Sequence, residues 1–396
     1  MSRFPALRHR EFRRYFIGQS IALVGGFAHN VALSWLAFRL TGSTFVLGVV
    51  GFATLAPAIV VSPIAGLFAD RYPRRKLLLF LLSGVALQCV VLAALTAADA
   101  IDAAGLIAIA FVRGLLFSCE IPIRHAFLAE LVPDREVLPN AVALHSSALN
   151  TARFVGPAVG GLLIATVGEV PCFLLHALTL TATLSQIWRI RVPNLTRAVA
   201  DGSFLADYLE GWRYAFSDPV IRRLLAGVFV LGFAVGPYSF LMPAAVAELY
   251  GSHPELVGLF LSCAGAGAMI AALSLAARRR THRLGRIALA GNVAAGLGLL
   301  AFSRSGWMPL SVLGMALVGF GTIAQAASTN MSIQKRVDDD KRGRVMAIYT
   351  AMFIGATPLG SLAFGRLGQE TGAAAAMLVG GVLALAGAAA TAVRAR

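Results

Sequence analysis

Long runs of apolar residues recur along the whole 396-residue chain. Each run is about 20 residues or longer, the length that an α-helix needs to cross a hydrocarbon core about 30 Å thick. The pattern therefore predicts twelve membrane-spanning helices, at residues 15–38, 44–69, 77–98, 105–127, 141–167, 170–190, 220–246, 255–277, 286–303, 307–332, 344–366 and 372–393.

The one extended polar stretch inside the chain, residues 191–223, separates six predicted spans from six. We expect a first bundle at 1–190, a cytoplasmic linker at 191–219 and a second bundle at 220–396. The two halves also resemble each other weakly: residues 46–76 align with 256–286 at one offset, and the Pro and Gly of the fifth span recur in the eleventh. Such internal repeats are typical of membrane carriers with a site between two halves.

Composition supports a membrane protein, because 58% of residues are hydrophobic and only 13% are charged, against about 25% charged in soluble domains. The net charge of +15 suggests a nucleic-acid partner at first. However, most basic residues fall in the termini and in alternate loops, which predicts cytoplasmic termini by the positive-inside rule. The exceptions are three residues on the opposite side and three within spans: Arg39, Arg304, Arg366, Arg113, Arg124 and Arg153. The charge thus indicates topology and no nucleic-acid partner.

Other classes of site have no support in the sequence. The basic N-terminus resembles the start of a signal peptide, but the apolar run after it is too long and lacks a cleavage site, so a cytoplasmic lead is expected. The four cysteines are scattered singly, which indicates packing rather than a disulfide framework or a zinc site. No nucleotide-binding loop, HExxH or GxSxG motif occurs, and no two histidines are close enough in sequence for a metal pair. We therefore expect no enzyme, metal or cofactor.

The loop after the second span reads GLFADRYPRRK. A glycine that permits close helix approach is followed by an acid at the membrane edge and a basic cluster. This resembles the loop of the major facilitator superfamily, with Pro73 where the family usually has glycine. The resemblance implies a conformational latch, in which the aspartate faces a helix N-terminus, formed by Gly66, Asp70, Arg71, Arg74 and Arg75. The alternative is a basic loop that sets only topology.

The fifth span contains GPAVGG. Gly156, Pro157, Gly160 and Gly161 on one helix favour a bend and close packing of a neighbour, and the motif resembles that of antiporters in the superfamily. EIPIRHAFLAELVP, GEVPCFLLHALTL and KRGRVMAIYTAMFIGATPLGSLAFG resemble the subfamily that contains the enterobactin exporter, transmembrane secretion effectors and drug-efflux carriers. His145 and His176 stand where this subfamily often has Asn.

Charges within the membrane are costly, about 2.5 to 3.5 kcal/mol each on insertion scales. Glu120 and Arg124 have the i, i+4 spacing of a helical ion pair, with Pro122 between them. We predict that this pair either braces the cytoplasmic half of the helix or acts as a gate and proton-coupling element. From the helical rise, Arg113 and Arg153 share one level near the midplane.

Arg113 and Arg153 are therefore predicted to bind an anionic or catechol-like substrate. Polar residues at similar depths extend the candidate substrate-binding set: His29, Asn30, His145, Asn150, Tyr238 and Gln325. Each of them has the alternative of pairing with another helix.

The resemblance implies an all-α membrane protein of the major facilitator fold, with twelve transmembrane helices in two six-helix bundles. It implies a monomeric secondary transporter of the bacterial inner membrane that exports a small amphipathic molecule, siderophore-like or a drug, by proton antiport. A facilitator or importer of the same fold, or a membrane receptor that does not transport, remains the alternative.

Overall fold

A computed structural model of the chain describes residues 4–132, 134, 136–190, 204–278, 283–338 and 341–393. Within these residues twelve helical segments are long and apolar enough to cross a membrane, which confirms the predicted number of spans. A 3₁₀ turn at Pro5–Arg8 precedes the first of them. The helices are α1 (Arg10–Thr41), α2 (Thr44–Leu55), α3 (Pro57–Arg71), α4 (Arg74–Ala97), α5 (Ala103–Leu131), α6 (Leu138–Val167), α7 (Val170–Arg189), α8 (Phe204–Ser217), α9 (Pro219–Val230), α10 (Tyr238–Tyr250), α11 (Pro254–Ala276), α12 (Leu284–Arg304), α13 (Met308–Arg336), α14 (Arg342–Thr371) and α15 (Ala373–Val393).

Two predicted spans are divided. The second consists of α2 and α3, which meet at Ala56, because Pro57 has no N–H to continue the hydrogen-bond ladder. The seventh consists of α9 and α10 joined by a π-helical turn at Leu231–Val235. There the N–H of Gly236 donates to the carbonyl of Leu231, five residues back, at 3.1 Å. Hydropathy predicts the length of such spans but not these breaks.

Local sequence explains where several helices begin and end. Asp102 caps α5 by accepting a hydrogen bond from the N–H of Gly105, and Asp218 caps α9. Gly168 and Gly372 follow α6 and α14 with φ of +86° and +94°, a conformation that favours glycine. The short connections between consecutive spans follow from these stop signals.

The chain divides into two compact units. Unit 1 comprises the described residues within Met1–Thr41, Ala53–Val199 and Pro254–Ser262. In it α1 packs against α6 and α7, while α4 packs against α5 and α7. Its apolar core includes Phe12, Leu78 and Phe127.

Unit 2 comprises the described residues within Gly42–Phe52, Ala200–His253 and Cys263–Arg396. Its central helix, α12, packs along α13 and α15. A Cβ on Gly291 would lie 2.7 Å from the carbonyl oxygen of Gly321, so α12 and α13 approach backbone to backbone. Two short segments are grouped with the opposite half of the sequence, at 42–52 and 254–262. The sequence-based boundaries at 190 and 220 stay a prediction, and residues 191–203 of the predicted linker lie outside the described part.

Candidate functional site

Helix α5 carries three charged side chains into the interior of unit 1. Arg113, Glu120 and Arg124 are each less than a tenth exposed. Arg124 Nη1 lies 3.5 Å from Glu120 Oε1, so the i, i+4 pair predicted from the sequence is formed. The helix continues past Pro122 as one element, which keeps both residues on one face.

The Glu120–Arg124 pair lies in a poorly hydrogen-bonded environment. Within the described chain, Arg124 Nε and the Tyr15 hydroxyl are buried without a hydrogen-bond partner. The Tyr15 ring packs edge-on against Phe127, with centroids 5.6 Å apart. Unsatisfied buried donors are costly, so the pair lacks the full set of hydrogen bonds that would stabilise this arrangement.

Arg113 has a neutral partner. Its Nη2 donates to Asn30 Oδ1 at 2.7 Å, and in the described part of the chain it makes no ion pair. Two residues of the predicted substrate-binding set are thus brought together by α1 and α5. Glu120, a described carboxylate that acts electrostatically on this guanidinium, is itself paired with Arg124.

The other candidates in unit 1 are distributed over several environments. Arg153 is half-buried on α6. His145 is also half-buried, and its ring faces that of His125 with centroids 6.3 Å apart. Asn150 donates to the carbonyl of Ser146 in its own helix. His29 is fully buried, so it contacts no solute in this arrangement of helices.

Sequence reasoning missed a partner set for His29. Its ring lies 5.2 Å from that of His176, and both histidines lie beside Cys89. No two histidines are close enough in sequence for a metal pair, but helix packing brings together His29 and His176, which are far apart in sequence. A sequence signal for this contact is His176, which stands where the subfamily often has Asn.

A second missed feature is a cavity of about 610 Å³ on unit 1 between α1, α6 and α7. Its lining is mainly apolar with a few hydroxyl groups. Lining residues on α6 include Ser147, Ala148, Thr151 and Ala152, a spacing of small side chains that the sequence does display. A cavity of this kind can bind the apolar part of a ligand.

Unit 2 contributes neutral polar groups. Gln325 is 1% exposed, and within the described chain its Oε1 has no hydrogen-bond partner. Asn292, which the sequence analysis missed, donates from Nδ2 to the carbonyl of Gly227 at 3.4 Å and leaves Oδ1 unpaired among described residues. Tyr238 is half-buried at the start of α10.

The basic loop residues bind helix ends within unit 1. Arg74 Nη1 lies 2.7 Å from Glu130 Oε1. Arg75 donates to the carbonyls of Ile187 and Trp188 at the C-terminus of α7, where a cation is favoured by the helix dipole. These partners were not predicted.

The remaining latch residues add little in this structure. Arg71 is exposed. Among the described atoms, none lies within 4 Å of the position of a Cβ on Gly66, and the role of Gly66 in close helix approach stays a prediction. The side chain of Asp70, which lies on α3, is outside the described part, and its role stays a prediction.

The glycines of α6 make the close contacts that their spacing indicates. A Cβ on Gly156 would lie 2.4 Å from Phe27 Cβ, and one on Gly160 would lie 3.0 Å from the Cα of Ala28. A Cβ on Gly161 would lie 2.8 Å from the Cα of Gly258. Pro157 is buried within the same helix.

Comparison with known proteins places these features in a family. The model of the transmembrane secretion effector family matches residues 1–395. The chain is 27% identical to a staphyloferrin A transporter of Staphylococcus aureus, over 88% of this chain and 87% of that protein. It is 26% identical to the multidrug efflux pump Tap of Mycolicibacterium fortuitum, over 88% and 87%.

Solved structures give the same fold. The nucleoside transporter NupG superposes with a TM-score of 0.77 at 13% identity, over 97% of this chain and 98% of that one. The predicted all-α major facilitator fold with twelve spans is confirmed. The chain is a multi-pass transporter of small molecules in the bacterial inner membrane and not an enzyme, and it belongs to the transmembrane secretion effector family of the major facilitator superfamily.

Proposed function

We propose that this transporter exports a small amphipathic, anionic molecule by proton antiport with alternating access. The observation that carries the proposal is Arg113, a buried guanidinium whose partner in the described chain is the neutral side chain of Asn30. An oxygen-rich anion would form an ion pair with the Arg113 guanidinium, and a charge-assisted hydrogen bond is worth about 1.5–3 kcal/mol.

Two further observations support the substrate class. The cavity between α1, α6 and α7 of unit 1 is mainly apolar, which suits the hydrophobic part of an amphipathic molecule. The relatives include a transporter named for the siderophore staphyloferrin A and a multidrug efflux pump. A siderophore-like anion is therefore our first candidate, and an anionic or amphipathic drug is the second.

We assign proton coupling to Glu120. It is an acid buried within a membrane-spanning helix, and its partner Arg124 is incompletely hydrogen-bonded within the described chain. Separation of the pair during the cycle favours the neutral carboxyl group, because burial disfavours an unpaired charge. Return of Arg124 favours proton release. Glu120 then works as a gate or coupling element, while Arg113, Arg153 and their polar neighbours bind the substrate.

The proposed topology places both termini, the loop at Arg74 and Arg75, and the linker at 191–219 on the cytoplasmic side. The ion pair and carbonyl contacts of those arginines hold the ends of α4, α5 and α7 together. We propose a monomer as the transporting unit, with residues 1–190 and 220–396 as its two bundles.

Transport into inside-out vesicles under an imposed pH gradient tests this mechanism. The probes are an iron-free catecholate siderophore and the cationic dye ethidium. An acid vesicle interior should drive siderophore uptake by the wild-type carrier, and a protonophore should abolish that drive. Glu120→Gln should lose at least tenfold of the gradient-driven rate but retain exchange of siderophore across the membrane.

Glu169→Gln is the matched control, because Glu169 is an equally buried acid paired with Arg39 at 2.6 Å outside α5. It should keep the response to the gradient. Full proton-driven transport by Glu120→Gln would remove the coupling role. A wild-type rate that ignores the gradient would instead indicate a facilitator.

A further inference from the structure

Three buried side chains in unit 1 form a cluster, and of these only His29 was predicted to bind substrate. His29 on α1, Cys89 on α4 and His176 on α7 offer ligand atoms that all lie within 4.8 Å of one another. His29 and Cys89 are fully buried, and His176 is 5% exposed. Helix α7 packs directly against both α1 and α4, so the cluster belongs to the interior of the bundle.

The distances match those between ligands that share one metal ion. Cys89 Sγ lies 3.6 Å from His29 Nδ1 and 3.4 Å from His176 Nδ1. A metal with bonds of about 2.3 Å to sulfur and about 2.0 Å to nitrogen separates these ligand atoms by roughly 3.5–3.7 Å, for tetrahedral to trigonal angles. The two sulfur–nitrogen separations therefore need almost no adjustment to accept an ion.

Hydrogen bonding alone satisfies the cluster poorly. Cys89 Sγ lies near both imidazole Nδ1 atoms and donates to Gln88 Oε1 at 3.7 Å, and the tautomer of each histidine decides whether its Nδ1 accepts from the sulfur or donates to it. Unsatisfied polar atoms at this depth cost free energy. A cation at the common point takes the lone pairs of the sulfur and both nitrogens at once.

We propose that His29, Cys89 and His176 form a binding site for a soft monovalent ion, Cu(I). Thiolate and imidazole are ligands that Cu(I) accepts readily. A Cu(I)–thiolate centre has no net charge, which suits a buried site in a membrane protein. The Arg113 guanidinium lies within electrostatic reach of all three residues, and this positive charge disfavours Zn²⁺, whose thiolate centre keeps a charge of +1.

Binding is a ligand substitution without redox change. Cu(I) enters as the monovalent ion, the Cys89 thiol loses its proton to water as the sulfur–copper bond forms, and each histidine donates a nitrogen lone pair. The sequence-based expectation of four packing cysteines and no metal site is revised for Cys89. The ligands come from three helices, and Cys89 is 60 residues from His29 and 87 from His176, so no spacing motif marks them.

Anaerobic titration of the purified full-length carrier in nanodiscs with Cu(I), against a chromophoric Cu(I) chelator, tests the site. Wild type should bind one equivalent in competition with the chelator. Cys89→Ser should weaken binding at least tenfold. Cys172→Ser is the matched control, because Cys172 is equally buried but its sulfur faces the carbonyl of Gly160, and it should bind like wild type.

His176→Asn, which restores the residue common in the subfamily, provides a second variant in case Cys89→Ser folds poorly. It should also lose at least tenfold in affinity while eluting as a monodisperse peak. X-ray absorption of the loaded carrier should show one sulfur and two nitrogen ligands at about 2.3 and 2.0 Å. Equal binding by wild type and Cys89→Ser would overturn the proposal, and so would tighter binding of Zn²⁺ than of Cu(I).

Discussion

The two compact units differ in the chemistry of their buried polar side chains. Among the described residues, every buried acidic, basic or histidine side chain belongs to unit 1: Arg113, Arg124, Glu120, Glu169, His29 and His176. The buried polar side chains of unit 2 are amides and hydroxyls, including Asn292, Gln325 and Ser328. Unit 1 therefore supplies charge and exchangeable protons, and unit 2 supplies neutral hydrogen-bonding groups.

This difference separates two tasks. Recognition of an anion and coupling to protons need ionisable groups, which makes unit 1 the side where substitutions should alter driving force and charge selectivity. The orphaned amide and hydroxyl groups of unit 2 within the described chain still cost about 1–3 kcal/mol each when unsatisfied. These atoms are therefore available to bind water or a ligand.

The largest expected effect concerns helix packing, in which the two units are alike. A Cβ on Gly319 of unit 2 would lie 1.7 Å from the carbonyl oxygen of Ala264, and one on Gly160 of unit 1 would lie 3.0 Å from the backbone of Ala28. Gly319→Ala should destabilise by more than about 3 kcal/mol, because backbone must move. Gly160→Ala should cost less. Thermal unfolding midpoints and yields of folded protein measure both.

Gly285→Ala serves as the packing control, because a Cβ at Gly285 meets no described atom within 4 Å. It should leave the midpoint unchanged or raise it slightly, since alanine favours helix. A Gly319→Ala carrier as stable as the control would show that α11 and α13 have room to separate.

The second effect tests the difference in charge directly. Arg113→Gln should lower transport of a catecholate siderophore about ten- to a hundredfold through loss of a charge-assisted bond, with little change for ethidium. Gln325→Leu should lower transport of both probes by less than tenfold. Its unfolding midpoint should not fall, because the Gln325 Oε1 in the described chain makes no hydrogen bond that the variant loses. Equal losses of both probes in Arg113→Gln would contradict the charge assignment.

Features that depend on one helix were predictable from sequence. The span count follows from apolar length, and the Glu120–Arg124 pair follows from i, i+4 spacing. The glycine spacing of α6 indicates a face that permits close packing, but it does not identify the helices that pack there. In each case the helical repeat places the residues without any knowledge of neighbouring helices. This explains why most of the fold was accessible at once.

Features that depend on which helices are neighbours were not predictable. The contact between Arg75 and the end of α7 joins residues 112 apart, and the His29–Cys89–His176 cluster draws on three helices. Local breaks were also not predicted, among them the π-helical turn at Leu231–Val235. Mean hydropathy carries no information about contacts between distant helices or about local breaks within a helix.

A third prediction concerns the side chain that caps the start of α15 in unit 2. Glu248 accepts hydrogen bonds from the N–H groups of Ala373 and Ala374, at 2.6 and 2.9 Å, and so caps α15 from another helix. Glu248→Ala should cost about 0.5–2 kcal/mol, in the range of lost N-caps, and lower the unfolding midpoint. Glu370→Ala is the control, because Glu370 forms an exposed pair with Arg366 in its own helix that is worth little. Equal midpoints for the two variants would show that water replaces the cap.

The smallest expected effect is a pH dependence at the start of α9 in unit 2. Burial raises the pKa of Asp218, but hydrogen bonds from Arg336 and from the N–H groups of Val220 and Ile221 outweigh it and hold the pKa below its ordinary value of 3.8. A lowered native pKa means that the carboxylate stabilises the fold above about pH 3.8 and that this contribution is lost as the pH falls through the native value. Arg336 is half exposed, so the effect should stay below about 1 kcal/mol. Asp218→Asn keeps a capping oxygen without the charge, and its midpoint should lie slightly below that of wild type at pH 6 and approach it as the pH is lowered below 3.8. A gap between the two proteins that widened on acidification would contradict the assigned sign.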